Sequence, residues 1–236
     1  MFFTALLIGS LLSSVTLADD FKKIKITEAH PTQFSVGMLE VDLRRETIRK
    51  AISENSLKKL LKKNRGTGVY GPPGKSIYLV DGHHFARALF EEGIEEMQVE
   101  IVKDWTDHSE KRFWKKMKKN DWVYLKDSEG IKRSPKELPI KINLLEDDPY
   151  RGLAYLVREA GGFENLKIPF QEFAWADFFR EKVKHFDTKN PKSVETALNE
   201  ALALCRDPEA KKLPGYLGKL ATSNCVLNLL LKRLRD

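Results

Sequence analysis

The stretch from Ile77 to Gly93, IYLVDGHHFARALFEEG, constrains this chain most. Its spacing predicts a buried strand over Ile77–Val80, a sharp turn at Asp81-Gly82, and a helix that runs directly from the turn to a stop at Gly93. The first N–H groups of a helix have no partner within it and sit at the positive end of its dipole. A strand-glycine-helix turn is therefore a cradle for phosphate or carboxylate. At about 100° per residue, His83, His84, Arg87 and Glu91 share one arc, while Phe85, Ala86, Leu89 and Phe90 cover most of the remainder. One side anchors the helix and the other presents imidazoles and a guanidinium.

Two apparent nucleotide motifs precede this stretch, and both fail on context. Gly66-Thr67-Gly68-Val69-Tyr70-Gly71 fits GxGxxG, but a turn and a strand follow where the dinucleotide fingerprint needs a helix, so it reads as a flexible loop, with Val69 assignable to a strand. Gly71-Pro72-Pro73-Gly74-Lys75-Ser76 is two residues too short between its glycines for a P-loop and reads as a hairpin turn. Lys75 is either a solvated turn lysine or a side chain that reaches a bound anion.

The chain has 236 residues, 42% of them hydrophobic and 32% charged, which suits a globular protein with one good core and a second, smaller unit. A net charge of +7 and a pI near 9.2 favour an anionic partner: nucleic acid, nucleotide or a membrane surface. Residues 1–18, MFFTALLIGSLLSSVTLA, carry no charge and end in a small-residue pattern before Asp19-Asp20. They read as a secretory signal peptide cleaved after Ala18, which predicts an exported, periplasmic or secreted protein with no stable membrane insertion after cleavage. Export would allow Cys205 and Cys225, the only cysteines, to bridge two C-terminal helices, and two separately buried thiols are the alternative. Neither belongs to a cluster with metal spacing.

The mature chain opens with an alternating strand at Lys22–Ile26, followed by a loop over His30–Gly37 and short basic helices over about Asp42–Ser53 and Ser56–Lys63. Met97–Val102 alternates as the strand after the central helix. Beyond Lys103 the pattern becomes helical. Ser109–Lys119 is a basic amphipathic segment, Trp122–Arg133 suggests a hairpin, and Asp148-Pro149 caps a helix stopped by Gly161-Gly162. Pro169 opens another helix to about Val183, and Ser193–Cys205 and Lys219–Leu234 read as two more. On the helix after Pro169, Glu172, Trp175 and Arg180 exceed what an amphipathic face requires. Asp148, Arg151, Trp175, Asp177 and Arg180 are read either as supporting a site or, for the charged ones, as a structural ion-pair network.

The order of strand, Pro31-Thr32-Gln33 loop, basic helices, strand, Asp81-Gly82-His83-His84 turn, helix and strand resembles the ParB/sulfiredoxin superfamily over roughly residues 22–103. The later DDPYRGLA, GGF and FAWADFFR segments are similar to the ParB-like nuclease family and extend the likeness to about residue 185. The resemblance implies an α/β (α+β) fold: a small mixed-sheet domain over residues 19–105 whose helix N-terminus binds phosphate, then a mainly helical, family-specific extension over 106–236. It also draws Gln33 and the acidic Glu40 and Asp42 toward the site.

Departures narrow the chemistry. Sulfiredoxins place a catalytic Cys before His and Arg in this turn. Here the residues are His83, His84 and Phe85, so sulfinic acid reduction is excluded. The Glu and paired Arg with which partition ParB proteins hold CTP are not evident, nor is a helix-turn-helix. Two readings follow. In the first, the protein is a nuclease or phosphohydrolase: Gly82, Arg87 and Lys75 bind the phosphate, His83 or His84 acts as general acid or base, and Asp81 orients an imidazole. In the second, the domain binds a nucleotide or another anion without turnover, and the histidines donate hydrogen bonds. A minor third reading follows the free-serine kinases, which share the DGHH-type turn, and adds Glu40 or Asp42 as base and a magnesium ion.

Overall fold

The computed structural model describes residues 21–218. The expected signal segment, Cys225 and the expected helix from Lys219 lie outside them. The core is a five-stranded mixed sheet. Its strands are β1 (Phe21–Lys25), β2 (Ala29–Pro31), β4 (Gly66–Gly71), β5 (Ser76–Asp81) and β6 (Glu96–Asp104), in the order β1-β6-β4-β5-β2. Antiparallel pairs β1/β6 and β4/β5 alternate with parallel pairs β4/β6 and β5/β2.

The GxGxxG stretch is the middle strand of this sheet, which corrects the loop expected there. Gly66, Gly68, Val69 and Gly71 are buried between neighbours on both sides. A strand built from glycine has no apolar alternation to read, because its burial comes from close backbone approach instead of from side chains. The hairpin expected at Gly71–Ser76 joins β4 to β5. The loop expected over His30–Gly37 also proves partly extended. β2 pairs with β5 at the sheet edge, where Pro31 is tolerated, and β3 (Ser35–Val36) forms a separate parallel pair with β7 (Glu146–Asp147).

Two groups of helices clothe the sheet, and a third packs against a helix of the first group. Helix α1 (Met38–Ser53) begins about one turn earlier than its apolar pattern suggests, packs on α3 (His83–Glu91), and leads into α2 (Leu57–Lys63). Ile24, Ile48, Leu79, Leu89, Met97 and Val99 are at the centre of this side. On another side α4 (Glu110–Lys119) lays Phe113 and Met117 against Val69 and Trp105. The extension consists of α5 (Pro149–Glu159), α6 (Gln171–Lys182) and α7 (Pro191–Leu204). Its core of Leu153, Leu156, Trp175, Phe179 and Leu198 is shared with Leu39 and Leu43 of α1, so α1 is the element common to both halves.

Candidate functional site

Helix α3 enters from β5 through Gly82, which takes φ 93° as the N-cap. A β-carbon there would also lie 3.1 Å from the Gly66 Cα, so backbone conformation and space both require glycine. The N–H groups of His83, His84 and Phe85 open the helix and have no helical acceptor. The Gly82 N–H donates to Asp81 Oδ1 at 2.7 Å, so the Asp81 carboxylate caps the turn and does not orient an imidazole.

Both histidines are buried and act as acceptors. The Thr32 N–H donates to His83 Nε2 at 3.1 Å, and the Gly37 N–H donates to His84 Nε2 at 3.1 Å. An imidazole that accepts at Nε2 and is neutral carries its proton on Nδ1. Burial pushes His83 down to about 3 and outweighs a hydrogen bond with the Leu79 backbone. Burial also holds His84 well below the usual histidine range, aided by the Arg151 and Arg44 charges and opposed by Glu40. Each ring thus ties a loop to the helix: His83 holds the strand exit at Thr32, and His84 holds the N-cap of α1.

That second tie draws other helix starts toward α3. Glu40 in the first turn of α1, Arg151 in the first turn of α5, and Gln171, Glu172 and Phe173 at the start of α6 line one cleft with Asp81, Gly82, His83 and His84. The cleft has a volume of about 670 Å³. Its floor is a chain of alternating charges. Arg44 Nε and Nη2 contact Glu40 Oε1 at 2.8 and 2.7 Å, while Arg151 Nη1 lies 3.0 Å from Glu40 Oε2. Arg151 continues to Glu172 at 3.9 Å, and Glu172 pairs with Arg158. Burial opposes ionisation of Glu40, but Arg151 and Arg44, joined by His84 whenever it is protonated, hold its carboxyl well below the usual carboxylate range.

The floor is incompletely satisfied. Arg151 Nε and Nη1 and Glu40 Oε2 are buried without a hydrogen-bond partner, although Arg151 and Glu40 are only 6% and 3% exposed. The contact between Arg151 Nη1 and Glu40 Oε2 is thus an ion pair that lacks hydrogen-bond alignment. Native interiors rarely leave such groups unmade, and this guanidinium belongs to a residue that lines the cleft. Lys63, Arg65 and Lys167 also line the cleft, and with Arg44, Arg151 and Arg158 they outnumber its carboxylates Glu40, Asp81, Asp121 and Glu172.

Of the residues marked in the sequence, Gln33, Glu40, Asp81, Gly82, His83, His84, Arg151 and Glu172 meet here. The others lie elsewhere. Arg87 pairs with Glu91 and donates to the Leu145 carbonyl at 2.8 Å, so it braces α3 instead of reaching the cradle. Lys75 sits in the hairpin, 3.6 Å from Asp104, and Asp42 is an exposed partner of Arg45. Trp175 is fully buried, stacked on Phe163 at 4.5 Å, and its indole N–H donates to the Pro214 carbonyl. Asp148, Asp177 and Arg180 form the ion-pair network read as their structural alternative, with Arg180 spanning both carboxylates at 2.6 and 2.7 Å. Arg44 and Arg158 are cleft residues that the sequence reading does not mark. One turn separates Arg44 from Glu40 and two turns separate Arg158 from Arg151, and this spacing is the available signal. Among the described residues, no three His, Cys, Asp or Glu side chains converge as a metal-ligand set.

Fold and site together define a ParB-like α/β protein in which a helix N-terminus opens into a basic cleft closed by a helical extension. The chain belongs to the family described as "Putative ParB-like nuclease", whose model matches residues 22–181. It is similar to the crystal structure of protein Atu1540 from Agrobacterium tumefaciens, with 35% identity and a TM-score of 0.74, covering 84% of this chain and 98% of that one. No curated protein matches the chain. The sulfiredoxin chemistry excluded from the turn has no other seat among the described residues, because Cys205 is buried and burial pushes its thiol up to about 12.

The histidine ties predict a pH dependence. With the folded value of His83 near 3 and the ordinary value at 6.5, the unfolded chain binds a proton across that window that the folded chain refuses. Stability from this site is therefore complete above pH 6.5 and is lost as pH falls toward 3, by up to about 1.4 kcal/mol per unit. Urea unfolding of the wild type and His83→Asn between about pH 7 and pH 4 should give a shallower slope for the variant. Identical slopes would remove His83 as the source.

Proposed function

We propose that the protein binds a phosphate ester in the cleft, with the phosphate held between the opening N–H groups of α3 and the Arg151 guanidinium. The observation that carries this reading is Arg151, buried beside Glu40 with two nitrogens lacking a hydrogen bond on the cleft wall. A phosphate oxygen would satisfy those nitrogens with charge-assisted bonds, and the helix starts around the cleft add positive potential. His83 and His84 act here as neutral braces. Each ring's Nε2 lone pair is taken by a backbone N–H, so neither imidazole has a nitrogen free for base catalysis, which favours binding over turnover.

Hydrolysis is the second reading, favoured by the family's description as nuclease-like and by Asp81, an exposed carboxylate on the cleft wall. The two are separated by incubating the protein with single-stranded DNA, RNA and mononucleotides, with and without magnesium, while measuring both binding and cleavage. Binding without cleavage is expected. Cleavage by the wild type that is lost in Asp81→Asn or His84→Ala would replace the first reading with the second. Arg151→Ala should weaken mononucleotide affinity about 30-fold or more, the scale for losing one partner of a buried charge pair. Arg151→Lys keeps the charge without the planar fork and should fall between. Unchanged affinity in Arg151→Ala would sink the assignment of the phosphate site.

A further inference from the structure

Two basic helices end at the cleft, and neither is needed to explain a mononucleotide site. Helix α2 exposes Lys58, Lys59, Lys62 and Lys63, while Leu57, Leu60 and Leu61 pack toward the core. Helix α4 exposes Lys111, Arg112, Lys115, Lys118 and Lys119, while Phe113 and Met117 are buried. At about 100° per residue, the α4 cations fall within an arc of about 120° opposite the buried pair. Among the described residues, no carboxylate forms an ion pair with any of these cations, whereas Arg45, Arg87, Arg133 and Lys182 elsewhere on the surface are paired.

The chain leaving α2 lines the cleft with Lys63, Asn64 and Arg65, and the chain leaving α4 lines it with Asp121 and Trp122. Each basic face therefore leads to the cleft mouth. Two half-buried aromatic rings wait there. Trp122 rests one face on Trp105 at 5.4 Å, and Phe170 comes from the segment before α6. Cationic faces that follow a backbone, combined with aromatic rings that stack on bases, make up the binding mode of single-stranded nucleic acid, since a duplex keeps its bases stacked and out of reach. The inward-facing leucines of α2 and the buried Phe113 and Met117 of α4 leave no apolar face to enter a bilayer, which disfavours an anionic membrane as the partner.

We propose that α2 and α4 form a track along which single-stranded nucleic acid reaches the cleft, with one backbone phosphate seated at Arg151 and a neighbouring base stacked on Trp122 or Phe170. The proposal rests on the phosphate-site reading above. Helix α4 alone is about 15 Å long, so the track extends the contact well past one nucleotide.

The test compares a dodecamer single strand, the same sequence as duplex, a mononucleotide, and anionic phospholipid vesicles, each titrated at several salt concentrations. It uses the wild type and a track variant carrying Lys58→Gln, Lys59→Gln, Lys62→Gln, Lys111→Gln, Lys115→Gln and Lys118→Gln. Glutamine preserves helix propensity, so the fold should be kept. The single strand should bind the wild type tightest. The track variant should lose about 10-fold or more of that affinity near 0.1 M salt, and the slope of log affinity against log salt should fall by roughly 0.7 for each phosphate contact removed. Mononucleotide affinity should stay within about twofold, because the altered residues lie outside the cleft, and Trp122→Ala should weaken the single strand at least as much as the duplex. Equal single-strand affinity and equal salt slope in the two proteins would overturn the track. Mononucleotide binding with no gain for the dodecamer would overturn the track and leave the phosphate site intact. Failure of both ligands would overturn both, and tighter binding to vesicles or duplex than to the single strand would overturn the choice of partner.

Discussion

Glu40→Ala should cost about 3–5 kcal/mol of stability, the scale on which removal of one member of a buried ion pair leaves its partner uncompensated. Glu40 lies between Arg44 and Arg151 and is only 3% exposed, so its loss leaves the Arg151 guanidinium in the interior with the Glu172 carboxylate at 3.9 Å as its remaining ion-pair contact. Arg44, with a side chain 32% exposed, can turn toward water, but Arg151 at 7% cannot. Denaturant unfolding measures the loss. The same variant carries a second expectation: inorganic phosphate should stabilise Glu40→Ala more than it stabilises the wild type, because an anion in the cleft then replaces the missing carboxylate. A loss below about 1 kcal/mol, or no added response to phosphate, would mean that Glu40 does not organise the cleft floor.

Gly37→Ala should cost about 3 kcal/mol or more, beyond the usual penalty for overpacking a side-chain contact. The methyl would lie 2.4 Å from the Gly152 backbone nitrogen and 2.5 Å from its Cα, and neither can move without separating α1 from α5. The damage should spread along a definite route. Gly37 donates to His84 Nε2, so shifting α1 releases the imidazole and displaces Glu40 and Arg151 together. The control is Gly152→Ala, whose methyl would meet the Leu39 side chain at 3.1 Å. A side chain can yield where backbone cannot, so this variant should unfold at a temperature closer to the wild type. If the two alanine variants melt alike, the close approach of the two helix starts is not the determinant.

Both expectations concern the joint between the α/β half and the extension, and this joint is where sequence and structure part. The strand-turn-helix unit at Ile77–Gly93 is readable because every signal in it is local: an apolar run, a glycine at the turn, and a helix with one apolar side. The cap read at Asp148 likewise accepts the Arg151 N–H of the turn that follows, as its residue type suggests. Glycine-rich β4 reads as a loop because a strand buried through its backbone carries no side-chain period. The pattern places the start of α1 too late because Met38–Val41 is buried almost all round, and a helix buried on every side loses the polar stripe that marks its phase.

The candidate site divides in the same way. Its anion cradle follows from local chemistry, since a helix that starts at a left-handed glycine exposes its first N–H groups whatever surrounds it. What the histidines do is a different matter. Residue type suggests proton exchange, but the proton inventory of an imidazole depends on what faces Nε2, and the Thr32 and Gly37 amides that face it are 51 and 47 positions away. Arg87 shares the cradle's arc in projection and yet turns to the Leu145 carbonyl, while Arg44 and Arg158, unmarked in the sequence, line the cleft. Local hydrogen bonding and periodicity act over one or two helical turns, so the chain encodes its cradle legibly. Burial, charge pairing and desolvation depend on partners from α1, α5 and α6, so the guanidinium floor and the neutral state of His83 and His84 emerge only when those helix starts are packed together.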